Sequence, residues 1–250
     1  MRWYKKDGTL YIDLIKQKNG KLRDANVRDA RELGLAPSVT SIIDVLAKPG
    51  LVRWKEGKLI GGSWSFTDDY IATHGGKPPL DLVKDYVYEE YKQEMEKVTG
   101  FGTDVHRYVE HWLTTGEKLK PKPENKVSPF LDPLYTFLEK NAIKGTSEKS
   151  FYNKIEDKGY AGTKDLEDDV YVTDFKTQDT KGTGKFVYYP ESLWQGAAYV
   201  YGTDKKFRNI YISSTEPGLF KIKEYKPEEV AKAGRIFACL LGTFYEIKGL

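Results

Sequence analysis

The chain has 250 residues, with 40 Lys and Arg against 37 Asp and Glu, a formal net charge of +3. That length suits one large domain, or a domain with an appendage, and is ample for a core. The small net charge does not mark a strong nucleic-acid binder, 39% hydrophobic and 14% aromatic residues exclude a disordered composition, and the single Cys239 excludes an internal disulfide, a Cys-rich zinc site and an iron–sulfur cluster.

The amino-terminal MRWYKKDGTLYIDL lacks an apolar h-region, and no apolar run approaches the roughly 20 residues of a membrane span. A soluble intracellular, cytoplasmic protein is expected. Residues 1–100 read as a mostly helical extension, and 101–250 as the main domain. Weak alternation over 8–15 predicts an early strand. PSVTSIIDVLAK (37–48) predicts a short helix capped by Ser38 or Thr40 and stopped by Pro49-Gly50. LVRWKEGKLI (51–60) predicts a second helix ended by Gly61-Gly62, with a loop over 63–79. Val83, Val87, Tyr91, Met95 and Val98 share one face of a stronger helix, which Gly100 is expected to break. A new helix starts near Thr103 and holds DVHRYVEHWL.

Residues 116–128 read as a polar linker, and 128–140 as a helix with Pro129 in its first turn. The period then changes. Strands are expected at 147–155, 163–166 and 170–177, with turns at 157–162 and 167–169. A flexible QDTKGTGKF follows, then a helix after Pro190, strands at 208–214 and 219–225, and a closing amphipathic helix over 227–248. Three strands close in sequence form a meander, and a helix crosses over to the fourth. The fold class is therefore α/β (α+β), a mixed sheet flanked by helices.

Asp165 ends GTKD, and Asp174 and Lys176 frame DFK. A strand alternates with period two, so Asp174 and Lys176 point the same way. A tight turn between 166 and 170 folds Asp165 back beside Asp174. Two adjoining carboxylates need a cation, or one takes up a proton. Oxygen ligands suit Mg²⁺ or Mn²⁺. A lysine beside them supplies positive charge where a phosphate gains negative charge, which is the chemistry of phosphodiester hydrolysis. Asp-rich turns and DxK on an exposed edge strand are also ordinary features without catalysis.

Four motifs occur in order. They are Gly102-Thr103-Asp104-Val105-His106, Gly162-Thr163-Lys164-Asp165, Asp174-Phe175-Lys176 and Gln195-Gly196-Ala197-Ala198-Tyr199. With the αβββαβ element order they resemble the RecB-like branch of the PD-(D/E)XK nucleases over about residues 101–214. Lys164 departs from that pattern, where an apolar residue is more usual, which puts strand burial in question there. The segment PSVTSIIDVLAKPGLVRWKEGK (37–58) resembles phage exonucleases similar to the mitochondrial genome maintenance exonuclease, and a phage- or virus-encoded source is suggested by that stretch alone.

The resemblance implies a restriction-endonuclease-like core and a metal-dependent deoxyribonuclease, a hydrolase taking Mg²⁺ or Mn²⁺. The expected activity is an exonuclease on single-stranded DNA ends, with a flap, nick or junction endonuclease and a non-catalytic DNA-binding module as alternatives. DNA is the expected partner, with any helicase or single-strand-binding protein a separate chain. The implied metal ligands are His106, Asp165, Asp174 and the Phe175 carbonyl. Lys176 stabilises the transition state. An unperturbed lysine, with a pKa of about 10.4, is a poor base at neutral pH. Gln195 orients the lysine or the phosphate, and Tyr199 supports it or touches DNA. Lys181 and Lys185 are expected phosphate contacts, which makes binding salt-dependent. Glu110 reads as a supporting or solvent-facing residue, and Glu148 as either a site residue or a solvated strand end. His74 and His111 have no assigned role. The extension is expected to cover the site, and Trp54, Trp64, Phe66, Tyr88 and Tyr91 are either core or base-stacking residues.

Overall fold

The elements run β1 (Trp3–Tyr4), β2 (Ile15–Lys16), β3 (Leu22–Arg23), α1 (Val27–Leu33), β4 (Ala36–Pro37), α2 (Val39–Ile43), α3 (Pro49–His74), α4 (Leu80–Thr115) and α5 (Ser128–Lys140). They continue as β5 (Thr146–Ile155), β6 (Lys158–Glu167), β7 (Tyr171–Gln178), α6 (Pro190–Val200), β8 (Lys206–Ser213), β9 (Phe220–Glu224) and α7 (Pro227–Lys248). The computed structural model describes residues 1–46 and 49–250, the side chains of 49–51, 54, 97 and 98 excepted. The chain divides into two units, Met1–Val45 with Val105–Leu250, and Leu46–Asp104. Within the first unit, β1, β4 and α2 pack against β6.

A five-stranded sheet in the order β5-β6-β7-β8-β9 forms the centre of the first unit. β5, β6 and β7 form an antiparallel meander, β7 and β8 run parallel across the α6 crossover, and β9 returns antiparallel. This is the mixed sheet flanked by helices that the sequence predicts. Tyr160, Val172, Phe207, Phe237, Leu241 and Phe244 are fully or nearly fully buried in one cluster with Ile42 of α2. Burying large apolar side chains contributes about 1.5–3 kcal/mol each, so this cluster ties α2, α6 and α7 to the sheet. The start of α7 is fixed by Pro227 and by Lys226 N–H donating to Glu229 Oε2 at 2.8 Å.

Several local expectations are corrected. Residues 8–15 form no continuous strand: Leu10 makes one bridge to Tyr4, and strand pairing resumes only at Ile15. The helix expected over 37–48 is reduced to Val39–Ile43 behind the Ser38 cap, whose side chain accepts Ser41 N–H at 3.1 Å. Residues 47 and 48 lie outside the described residues. Pro49-Gly50 opens α3 rather than ending a helix, since Pro is tolerated in a first turn. Gly61-Gly62 does not stop α3, and the loop is confined to 75–79. A Cβ at Gly62 would lie 3.1 Å from the Glu90 carboxylate, so the small residue admits α4. Gly100 likewise sits within α4, where a glycine costs only about 1 kcal/mol against alanine. GYAG belongs to β6, not to a turn. The hairpin turns at Glu156-Asp157, where Glu156 has φ +56°.

In the second unit, Phe66 stacks on Tyr86 with centroids 4.4 Å apart, and Lys58 pairs with Glu94 at 2.9 Å. Lys55 lies 5.3 Å over the Tyr91 ring, whereas Trp64 and Tyr88 are exposed. The Trp54 side chain lies outside the described residues. Among the described residues no helix is long and apolar enough to cross a membrane.

Candidate active site

The β6–β7 ladder is short. Its pairs are Glu167↔Val172 and Leu166↔Thr173, and the next step would set Asp165 against Asp174. There the side chain replaces the ladder: Phe175 N–H donates to Asp165 Oδ2 at 2.7 Å. On the other side, Ser147↔Leu166 and Lys149↔Lys164 pair normally, but Glu148 opposite Asp165 does not. Glu148 has φ +49°, a strained conformation for a residue with a Cβ. Three successive strands therefore each carry one carboxylate at one level, where both ladders are interrupted.

His106, from α4, reaches this level. Its Nε2 lies 3.2 Å from the Phe175 carbonyl oxygen, and its Nδ1 3.6 Å from Asp165 Oδ2. In the neutral tautomer that donates to Phe175, the Nδ1 lone pair faces the carboxylate. Two facing acceptors fit a cation between them. One ligand atom each from His106, Glu148 and Asp165 lies within 4.8 Å of the others. Burial first, and then the Asp174 charge, push the Asp165 carboxyl up to about 7. Desolvation, and then the Glu110 charge, also raise Glu148. The group thus has an excess of negative charge when ionised, and its donor set suits a divalent cation.

Beside that trio, Asp174 is tied into a polar cluster. Lys176 Nζ lies 3.1 and 3.0 Å from its two carboxylate oxygens. Lys176 also donates to Gln195 Oε1 at 2.9 Å. Gln195 Nε2 donates to Asp174 Oδ1 at 3.1 Å and to Tyr199 OH at 2.7 Å. Burial pulls the Lys176 pKa down, but the Asp174 and Asp165 charges outweigh it and the net direction is up. Gln195 and Tyr199 lie one turn apart on α6, so one helix face serves both. Two glycines bring these elements together. A Cβ on Gly162 would meet the Phe151 and Tyr199 rings at 3.1 and 3.2 Å, and one on Gly196 would lie 2.0 Å from Phe207.

Asp165, Asp174, Lys176, Gln195, Tyr199, His106 and Phe175 are therefore brought to one place. The Phe175 carbonyl is engaged by His106. Tyr199 is buried rather than open to a partner, and burial and then the Asp174 and Asp165 charges hold its phenol well above the ordinary value. Lys181 and Lys185 are exposed on the loop after β7, where Asp179 accepts Lys181 N–H at 2.7 Å. His74 stacks on Tyr70, and His111 lies 3.8 Å from Glu117. Lys164 is buried at 6% exposure, its ammonium 2.5 Å from Glu167 and 5.2 Å from the Phe151 ring centre. An ion pair thus takes the place of an apolar side chain.

The sequence reading missed Asn209. This fully buried residue donates from Nδ2 to Asp174 Oδ2 at 2.7 Å and accepts from Tyr225 OH at 3.0 Å. Its only signal was an amide within the apolar strand FRNIYIS.

No protein-family model matches the chain, and no curated protein matches its sequence. Among solved structures, the chain is similar to a crystal structure from Eubacterium rectale described as a "Putative exonuclease". The match has 15% identity and a TM-score of 0.47, and covers 73% of this chain and 80% of that one.

Proposed function

We propose that the chain is a divalent-cation-dependent nuclease that hydrolyses DNA phosphodiester bonds. The observation that carries this reading is the meeting of Glu148, Asp165 and His106 beside the Asp174–Lys176–Gln195 cluster, at the level where the sheet's ladders open. His106, Glu148 and Asp165 would hold the cation, with Asp174 flanking them. Bound there, Mg²⁺ or Mn²⁺ supplies Lewis-acid polarisation of a phosphodiester and a lower pKa for a nearby water.

The remaining roles belong to the chain itself. Lys176 stays an ammonium, because two carboxylates outweigh its burial. It therefore supplies positive charge to the phosphate in the transition state rather than accepting a proton. Gln195 holds the ammonium from its carbonyl oxygen and Asp174 from its amide, which fixes their separation. Lys181 and Lys185 are suited to backbone phosphates from an exposed loop. Preference for single-stranded DNA ends is supported by the resemblance of 37–58 to phage exonucleases. A structure-specific endonuclease differs only in substrate geometry.

The test uses linear single-stranded, linear double-stranded and circular single-stranded DNA with Mg²⁺, Mn²⁺ or EDTA. Metal-dependent loss of linear single strands, with circles intact and Lys176→Ala inactive but still binding DNA, is the expected result. Cut circles would assign an endonuclease. Full cleavage by Lys176→Ala would overturn the site, and binding without cleavage under any cation would leave a DNA-binding module.

A further inference from the structure

Asp174 is 1% exposed and lies on the strand next to β8, in register with Asn209. Asn209 is 0% exposed, among Phe207, Ile210 and Ile212, which are equally buried. A buried amide in such a strand is costly unless its hydrogen-bonding groups are satisfied. Here the NH₂ is used on one neighbour. Nδ2 lies 2.7 Å from Asp174 Oδ2 and 3.3 Å from the main-chain oxygen of the same residue. The amide therefore spans the backbone and side chain of Asp174 and fixes the direction of its carboxylate.

The amide is itself fixed. Tyr225, just before α7, donates its hydroxyl to Asn209 Oδ1 at 3.0 Å. A flipped Asn209 would turn its oxygen toward a carboxylate, acceptor against acceptor, and its NH₂ toward the phenol. The Tyr225 ring is in turn stacked on Phe207, with centroids 5.6 Å apart and planes at 16°. The order of support is thus Phe207, Tyr225, Asn209, Asp174.

We infer that Asn209, oriented by Tyr225, is a positioning residue that holds the Asp174 carboxylate ready for the divalent cation. Asn209 touches neither the cation cluster nor Lys176. It acts through Asp174, and this inference rests on the proposed cation-dependent reading of the site. Polar groups that orient a ligand from behind are commonly worth 10- to 100-fold in metal affinity.

The test is Mn²⁺ binding, followed by electron paramagnetic resonance, on the full chain, Asn209→Ala and Tyr225→Phe. Melting in EDTA checks that each is folded, and cleavage of linear single-stranded DNA is measured in parallel. The expected result is a Mn²⁺ dissociation constant raised about 10- to 100-fold by Asn209→Ala. Tyr225→Phe is expected to raise it about fivefold, the size of one ordinary hydrogen bond. If Asn209→Ala does not fold, Tyr225→Phe decides, because it removes one oxygen and keeps the ring stack. Folded variants that bind Mn²⁺ like the parent overturn the inference, and leave the nuclease reading standing if the parent cleaves. Asn209-dependent Mn²⁺ binding without cleavage by the parent sustains the inference and removes the nuclease. A parent that binds no Mn²⁺ overturns both.

Discussion

Glu148 of β5 stands opposite Asp165 of β6, and the backbone ladder passes over that pair while pairing both of its neighbours. The carboxylates meet where the sheet has stopped bonding to itself. Burial, and then the charge of Asp174, push Asp165 up to about 7 from an ordinary 3.8. A raised folded-state pKa contributes stability that is full below the unfolded value and lost as pH rises through the folded one. The cation-free chain should therefore lose stability between about pH 4 and 7. Asp165→Asn should remove most of that slope, leaving the share of the raised Glu148, and raise stability at pH 8 by about 1–3 kcal/mol. Its amide oxygen can still accept Phe175 N–H. Urea unfolding in EDTA at pH 5 and pH 8 measures the difference. Added Mg²⁺ or Mn²⁺ should stabilise the parent at pH 8 and leave Asp165→Asn nearly unmoved.

Gln195 makes three hydrogen bonds within the site, to Lys176, Asp174 and Tyr199. Gln195→Ala leaves the Lys176 ammonium held by Asp174 alone and the buried Tyr199 hydroxyl without its donor. Cleavage should fall about 10- to 100-fold. DNA affinity measured in EDTA should not change, because Gln195 holds the site rather than the phosphate backbone. An equal loss of DNA affinity would make Gln195 a binding residue instead.

The mixed sheet and the order of its elements along the chain were legible because each rests on a local pattern. Period-two alternation, Pro190 and Pro227 at helix starts, and the spacing of Asp174 and Lys176 are all written along the chain. Gly62 misled the reading because a local breaker signal says nothing of a second helix that lies close beside it, whereas Gly61 and Gly100 have open space around them and are simply tolerated within long helices. GYAG misled it for a related reason. Gly162 pairs with Phe151 as a regular strand residue, and its smallness serves the close approach of the Phe151 and Tyr199 rings rather than a turn. Asn209 and Tyr225 could not be linked to Asp174 from sequence, because they lie on neighbouring parallel strands and a helix entrance, 35 and 51 positions away. Lys164 looked like a breach in strand burial, and only the fold shows Glu167 beside it.

Gly196 gives the packing counterpart of these site predictions. A Cβ there would fall 2.0 Å from the ring of Phe207, which is fully buried and has no room to retreat. Gly196→Ala should cost about 1–3 kcal/mol by overpacking. It should also push α6 away from β8 and carry Gln195 and Tyr199 with it, so cleavage should fall even where the variant is fully folded. Adding Phe207→Leu should restore part of the stability. Urea midpoints and single-strand cleavage of the single and double variants separate the two effects.

Glu167 accepts from three lysines, Lys149 at 2.8 Å, Lys164 at 2.5 Å and Lys205 at 3.0 Å. Burial alone would raise its pKa, but the three ammonium groups outweigh it and hold the carboxyl at about 2 against an ordinary 4.5. The sign is opposite to that of Asp165. A lowered folded-state pKa contributes stability present above the unfolded value and lost as pH falls through the folded one. That contribution is present at neutral pH, and it should disappear between about pH 4.5 and pH 2. Glu167→Gln should remove it and leave the buried Lys164 ammonium without its counter-charge. The parent should therefore lose stability more steeply on acidification than the variant, in which other lowered carboxyls such as Asp29 still titrate. Unfolding midpoints at pH 7, 5 and 3 in EDTA measure this, and parallel acid limbs for the two proteins would show that the three lysines do not depend on Glu167.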